Sequence, residues 1–223
     1  MSTTGPLGQR AEAVARLLGP HFRRAQELGL LGPAPVTTQV WRSLAFAAVA
    51  AQPPQHLAID LGSGAGLPGL VLASVWPQAK WLLVDSNQRR ARWLEGTITA
   101  LGWSARVSAV CERAEILGRG HLRAQADLVT ARGFGPPGAT AECAAPFLMA
   151  GGHLLVADPP ASTVAASCRW PEEGLARLGL KWQATQVVAT QAGPTTITSV
   201  IALALCPDGY PRRNGAPAKR PLF

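Results

Sequence analysis

Residues 60 to 69 read DLGSGAGLPG, six small residues and a proline set between the apolar runs LAI (57–59) and LVL (70–72). A chain gives up side-chain packing over such a length only where its backbone turns sharply or a neighbour comes close. Between a buried strand and the helix that follows it, such a loop leaves helix-start amides free at the edge of a sheet, where a crevice forms. It therefore constrains the topology before it says anything about chemistry.

The surrounding pattern agrees. HLAIDL (56–61), WLLVD (81–85), RVSAV (106–110), DLVTA (127–131) and HLLVAD (153–158) are short, rich in Val, Leu and Ile, and each precedes a helix-length segment. Buried parallel strands look like this, because helices cover both faces and alternation disappears. LKWQATQVVAT (180–190) and TTITSVIALAL (195–205) flank a turn too short for a crossover helix, so these two strands pair antiparallel. The expected fold is α/β: a mostly parallel, Rossmann-like sheet with a C-terminal antiparallel hairpin, the layout of class I methyltransferases. Residues 7–50 carry apolar residues at helical spacing, broken by Gly19-Pro20 and by GPAP at 32–35, which predicts two or three short helices. The expected division is an N-terminal helical extension over 1–50, the main domain over 51–207 and a basic tail over 208–223.

At 223 residues with 48% hydrophobic content, the chain is long enough for one sizeable core. Its longest apolar candidates, LAFAAVAA (44–51) and VIALALC (200–206), fall short of a membrane span, and no leader pattern opens the sequence, so a cytoplasmic protein without a membrane partner is expected. Cys111, Cys143, Cys168 and Cys206 form no CxxC pair, and His21, His56, His121 and His153 share no motif, so no metal site or disulfide framework is expected. A formal charge of +8 points to an anionic partner, nucleic acid being the commonest.

Gly62, Gly64 and Gly66 make G-x-G-x-G, while Gly64, Gly66 and Gly69 also satisfy G-x-G-x-x-G, so the glycines alone admit either a dinucleotide or S-adenosylmethionine. Asp60, two residues before the first glycine, would repel a pyrophosphate but welcome the ammonium of S-adenosylmethionine; holding the turn through its own backbone is its other reading. Asp85 ends the second strand where a ribose-gripping acid belongs in both cofactor classes. Pro68 suits a first helical turn. Ala114 and Glu115 follow the third strand, where an amide and a carboxylate can read an adenine edge or simply face a helix dipole. Arg132 sits at the carboxyl end of the fourth strand, with Phe134 able to stack nearby. DPPAS (158–162) differs from the Asp/Asn-Pro-Pro-Tyr/Phe motif of amino-methyltransferases in its fourth residue and its strand, and reads as a chain reversal. No catalytic base is legible. Guanine N7 needs none, having a free lone pair and no proton to lose.

These stretches resemble the bacterial small-subunit rRNA guanine-N7 methyltransferases, the glucose-inhibited division protein B family. The resemblance rests on DLGSGAGLPGL (60–70), LVDSNQRRARWLE (83–95), RAE (113–115), ARGF (131–134) and GYPRRNGAPAKRPL (209–222). It implies S-adenosyl-L-methionine as cofactor and 16S rRNA or the small ribosomal subunit as partner; a monomer is expected. Residue by residue, it puts cofactor contacts at Gly62, Leu67, Ala114, Glu115 and Arg132, with Asp85 at the ribose position; Gly64 of the loop joins them as a cofactor-binding candidate, and no catalytic side chain is expected. Arg89, Arg90, Arg92, Arg212, Arg213, Lys219 and Arg220 become candidates for rRNA phosphate. Three features depart from the family. Its H-x-x-D-S-L segment is Gln39-Val40-Trp41-Arg42-Ser43-Leu44 here, its tryptophan- and asparagine-rich N-terminus is unrecognisable, and DPPAS replaces its lysine and glycine. A non-catalytic module that binds cofactor and RNA, and a nucleotide-dependent oxidoreductase, are the alternatives.

Overall fold

The computed structural model describes residues 6–159 and 166–223; most of DPPAS lies outside them. Two helices, α1 (Pro6–Glu27) and α2 (Val36–Val49), precede an alternation of β1 (Leu57–Leu61), α3 (Gly69–Val75), β2 (Lys80–Asp85), α4 (Gln88–Ala100), β3 (Val107–Cys111), α5 (Ala114–Leu117), β4 (Ala126–Arg132), α6 (Pro137–Ala144) and β5 (Leu148–Asp158). Short helices α7 (Ala166–Arg169) and α8 (Glu172–Ala176) lead to β6 (Leu180–Val188) and β7 (Thr195–Ala202), and α9 (Ala216–Lys219) lies in the tail.

The strands form one sheet in the order β3-β2-β1-β4-β5-β7-β6. β1 to β5 run parallel, and β7 enters antiparallel between β5 and β6. Alternate residues of each parallel strand feed opposite cores. Ala58, Leu83, Leu128 and Leu155 join the face under α1 to α4; Ile59, Val84, Val129 and Leu154 join the face under α5, α6 and α8. Burial on both faces is why these strands read as continuous apolar runs. The order reverses between β1 and β4, so their carboxyl ends part and open a crevice.

The expected break at Gly19-Pro20 does not occur: α1 runs through Pro20 as one 22-residue helix. Its stripe Ala11, Val14, Leu18, Phe22 and Ala25 is almost wholly buried. Burying that stripe, at roughly 25 cal/mol per Å² of apolar surface, outweighs the roughly 3 kcal/mol that an interior proline costs. β5 also starts earlier than expected, at Leu148. Leu148 pairs with Ala126 across a register shift, and exposed Gly151 takes up the distortion at φ 83°.

The first turn of α3 packs tightly on β1 and β2. A Cβ on Gly69 would overlap the Leu83 side chain and stand 2.8 Å from Asp60 Oδ2. Gly69→Ala should therefore destabilise the protein by about 1–3 kcal/mol in urea unfolding, whereas Gly96→Ala, in the interior of α4 where the space is open, should stabilise it by about 0.5–1 kcal/mol.

Candidate functional site

The glycine loop is shaped by two buried carboxylates. Asp60 is fully buried at the carboxyl end of β1. Its Oδ2 accepts the Gly69 amide at 3.1 Å and its Oδ1 accepts the Thr130 hydroxyl at 2.7 Å. Both oxygens thus tie β1 to α3 and β4, and the side chain has no exposed surface. The expectation that Asp60 receives an ammonium is corrected: its work is to hold the turn. Burial raises its pKa to about 6, against the lowering effect of the Thr130, Ser63 and Gly69 hydrogen bonds and the Arg132 charge.

Asp85, 4% exposed, closes the loop from the other side. Its Oδ2 accepts the Gly64 amide and its Oδ1 the Asn87 amide, each at 2.9 Å. Asn87 in turn caps α4 by accepting the amides of Arg89 and Arg90. Gly62 and Gly64 have φ of 67° and 58°, a region that side chains disfavour. A Cβ on Gly62 would stand 2.9 Å from Phe134 Cδ2, so the loop and the segment after β4 come into close contact there.

Above these residues lies a cleft of about 290 Å³. Gly62, Asp85, Ala114, Glu115 and Phe134 line it, with Cys143 and Ala218 at its far end. Four expected cofactor residues are therefore gathered on one wall system, and Gly64 supports it through Asp85. Two others lie elsewhere. Leu67 is 4% exposed and its side chain joins the core under α1 and α2. Arg132 lines a neighbouring cleft, where its Nη2 donates to Gln39 Oε1 at 2.9 Å. Burial lowers the Arg132 pKa; Asp60 opposes this and Arg42 adds to it.

The tail is part of this architecture. Glu142, fully buried in α6, accepts the Arg212 backbone amide at 2.7 Å and holds the Arg212 guanidinium through contacts of 2.6 to 3.0 Å. Arg212 is thus a structural cation, and its candidacy for rRNA phosphate is corrected. The Gly215 amide donates to Glu115 Oε1 at 2.9 Å. Arg119 and Arg123 donate to the carbonyls of Pro211 and Tyr210. Phe223 meets Trp170 edge-on with ring centroids 6.5 Å apart. Sequence reasoning missed Glu142, although a lone acid in the apolar helix PGATAECA was a signal that it had a partner.

Two tests follow from these carboxylates. Because the folded-state pKa of Asp60 lies above its unfolded value near 3.8, its contribution favours folding below about pH 4 and is lost as pH rises through 6. Relative to Asp60→Asn, wild type should lose about 2 kcal/mol of stability between pH 4 and pH 7; parallel stability curves would contradict this. Arg212→Ala strands a buried carboxylate and should cost about 3–5 kcal/mol, most of it recovered when Glu142→Leu is added.

Comparison with known proteins closes the question of family. A model of the GidB family, described as rRNA small subunit methyltransferase G, matches residues 33–159. The ribosomal RNA small subunit methyltransferase G of Synechococcus sp. (strain RCC307) is 36% identical over 167 residues, covering 74% of this chain and 70% of that protein. Among solved structures, the [4+2]-cyclase SpnF aligns with a TM-score of 0.59 at 14% identity, covering 86% of this chain and 95% of its own. The antibiotic-resistance methyltransferase Kmr aligns with a TM-score of 0.51 at 20% identity, covering 77% and 98%. These two share the class I methyltransferase fold with this chain, and a fold shared by a cyclase and a methyltransferase does not by itself choose a reaction. The matched family model does, and the chain belongs to the GidB family of small-subunit rRNA methyltransferases.

Proposed function

We propose that the protein transfers the methyl group of S-adenosyl-L-methionine to guanine N7 in 16S rRNA of the small ribosomal subunit. The observation that carries this reading is the cleft over β1, β2 and β3, with the glycine loop and Asp85 on its wall, in a chain of this family. Asp85 has lone pairs to offer a ribose diol besides those taken by Gly64 and Asn87. Ala114 and Glu115 stand where the adenine would lie, and Gly62 lets the backbone approach the middle of the cofactor. The cofactor supplies an activated methyl on a sulfonium, and the protein supplies position.

The proposed chemistry asks for little else. Guanine N7 attacks with its own lone pair, so placement in line with the carbon–sulfur bond substitutes for a base. The division into an N-terminal helical extension, a cofactor-binding domain and a basic tail becomes functional in this reading. Arg89, Arg92, Arg213, Lys219 and Arg220 are exposed and offer phosphate contacts around the cleft. The oxidoreductase alternative loses its support, because the chain belongs to a family of methyltransferases. No helix among the described residues is long and apolar enough to cross a membrane, and no group of three metal-ligating side chains occurs among them.

Purified protein, labelled cofactor and small subunits lacking the modification should yield one labelled guanine; absence of transfer to subunits and to naked rRNA would reject the reading. Asp85→Ala should weaken S-adenosylhomocysteine binding about 10- to 100-fold by calorimetry, the loss expected for hydrogen bonds to a charged group.

A further inference from the structure

Glycine stands at two helical positions where the backbone does not ask for it. Gly138 in α6 and Gly174 in α8 both have φ outside the left-handed region, and glycine costs a helix stability relative to alanine. What the two share is Phe223. A Cβ on Gly138 would stand 2.6 Å from the Phe223 carbonyl oxygen and 2.8 Å from its nitrogen, and one on Gly174 would overlap the Phe223 ring. Trp170, 1% exposed, meets that ring edge-on and completes the seat.

The seat ends a segment that walls the cleft beside the glycine loop. Residues four apart on α6 share a face. Gly138 and Glu142 meet the tail through Phe223 and Arg212, while Ala139 and Cys143 line the cleft. Ala218 of the tail lines the same cleft, and the Gly215 amide donates to Glu115 on its wall.

The tail is unevenly held. As far as Arg212 it is fixed by charged side chains: Arg123 donates to the carbonyls of Cys206 and Tyr210, Arg119 to that of Pro211, and Glu142 holds Arg212. Beyond that point Arg213, Asn214 and residues 218–221 are exposed. The ties there are slighter: the Gly215 bond to Glu115, a bond of 2.6 Å from Arg212 to the Arg220 carbonyl, and the apolar contacts of Pro217, Leu222 and Phe223. Segments held by few such contacts open at lower cost than the core. Gly215, with φ 78° and open space where a Cβ would stand, sits at the joint.

We propose that residues 213–223 form a strap over the cleft, hinged between Arg212 and Gly215 and latched by Phe223 between α6 and α8, whose release opens the cleft to solvent. Access to the cleft is then set by a residue that does not line it. The strap stands whatever the cleft binds; under the methyl-transfer reading it governs exchange of the cofactor.

Two cysteines report on the strap without any ligand. Cys143, 3% exposed, shares one end of the cleft with Ala218, and Cys206, 6% exposed, lies on the firmly held side of Arg212. Burial raises the pKa of both thiols, so reaction requires that they be uncovered. N-ethylmaleimide labelling, read by peptide mass spectrometry, should modify Cys143 about tenfold faster or more in Phe223→Ala than in wild type, with the Cys206 rate unchanged. Gly174→Ala favours helix in α8 but displaces the ring, and should do the same; the double variant should be no faster than either alone. An unchanged Cys143 rate in either single variant overturns the proposal. So does faster labelling of Cys206 alongside Cys143, which marks a general loosening, and so does full additivity in the double variant, which places the effect of Gly174 outside the latch.

Discussion

The Asp60 carboxylate is the joint on which the site depends. It lies fully buried beneath the loop, where three elements meet: its own strand β1, the first turn of α3 through the Gly69 amide, and β4 through the Thr130 hydroxyl. A buried carboxyl with a pKa near 6 is a costly group, and its hydrogen bonds are what make it tolerable. With α3 and β4 fixed to β1, the intervening backbone has one path left, through Gly62 and Gly64 in left-handed conformation. That path presents the Gly64 amide to Asp85 and brings Gly62 against Phe134, so the cleft inherits its shape from a residue that does not line it.

The C-terminal segment adds a second set of internal charges. Arg119 and Arg123 bind tail carbonyls, and Arg212 pairs with buried Glu142. The net charge of +8 therefore overstates the phosphate-binding surface, because part of it holds the protein's own backbone. The same segment reaches the cleft beside the glycine loop through Gly215 on Glu115 and through Ala218. Tail and cleft are one structural unit, and removing residues 209–223 would disturb the cleft itself.

The sheet was legible in the sequence because strands buried on both faces print as short aliphatic runs, and the terminal hairpin because its turn is too short for a crossover. Local rules failed where tertiary packing overrode them. Gly19-Pro20 reads as a break, yet the buried stripe from Ala11 to Ala25 carries α1 through it. HLLVAD reads as the whole fifth strand, yet β5 begins irregularly at Leu148. Asp60 was noticed at once for its position and misassigned in its role, since sequence shows that a carboxylate is present but not which way it points. Leu67 matched its family by alignment with the loop, while its side chain belongs to the core. The Glu142–Arg212 pair spans 70 residues and no local spacing rule reaches that far.

The central claim is that the cleft between the glycine loop, the end of β2 and the start of α5 is where the methyl donor binds. Hydrogen exchange with and without S-adenosylhomocysteine tests it most directly. The account predicts slowed exchange at the amides of residues 62–66, 85–87 and 113–116. Protection absent from those segments and confined to α1, α2 or the β6–β7 hairpin would contradict it.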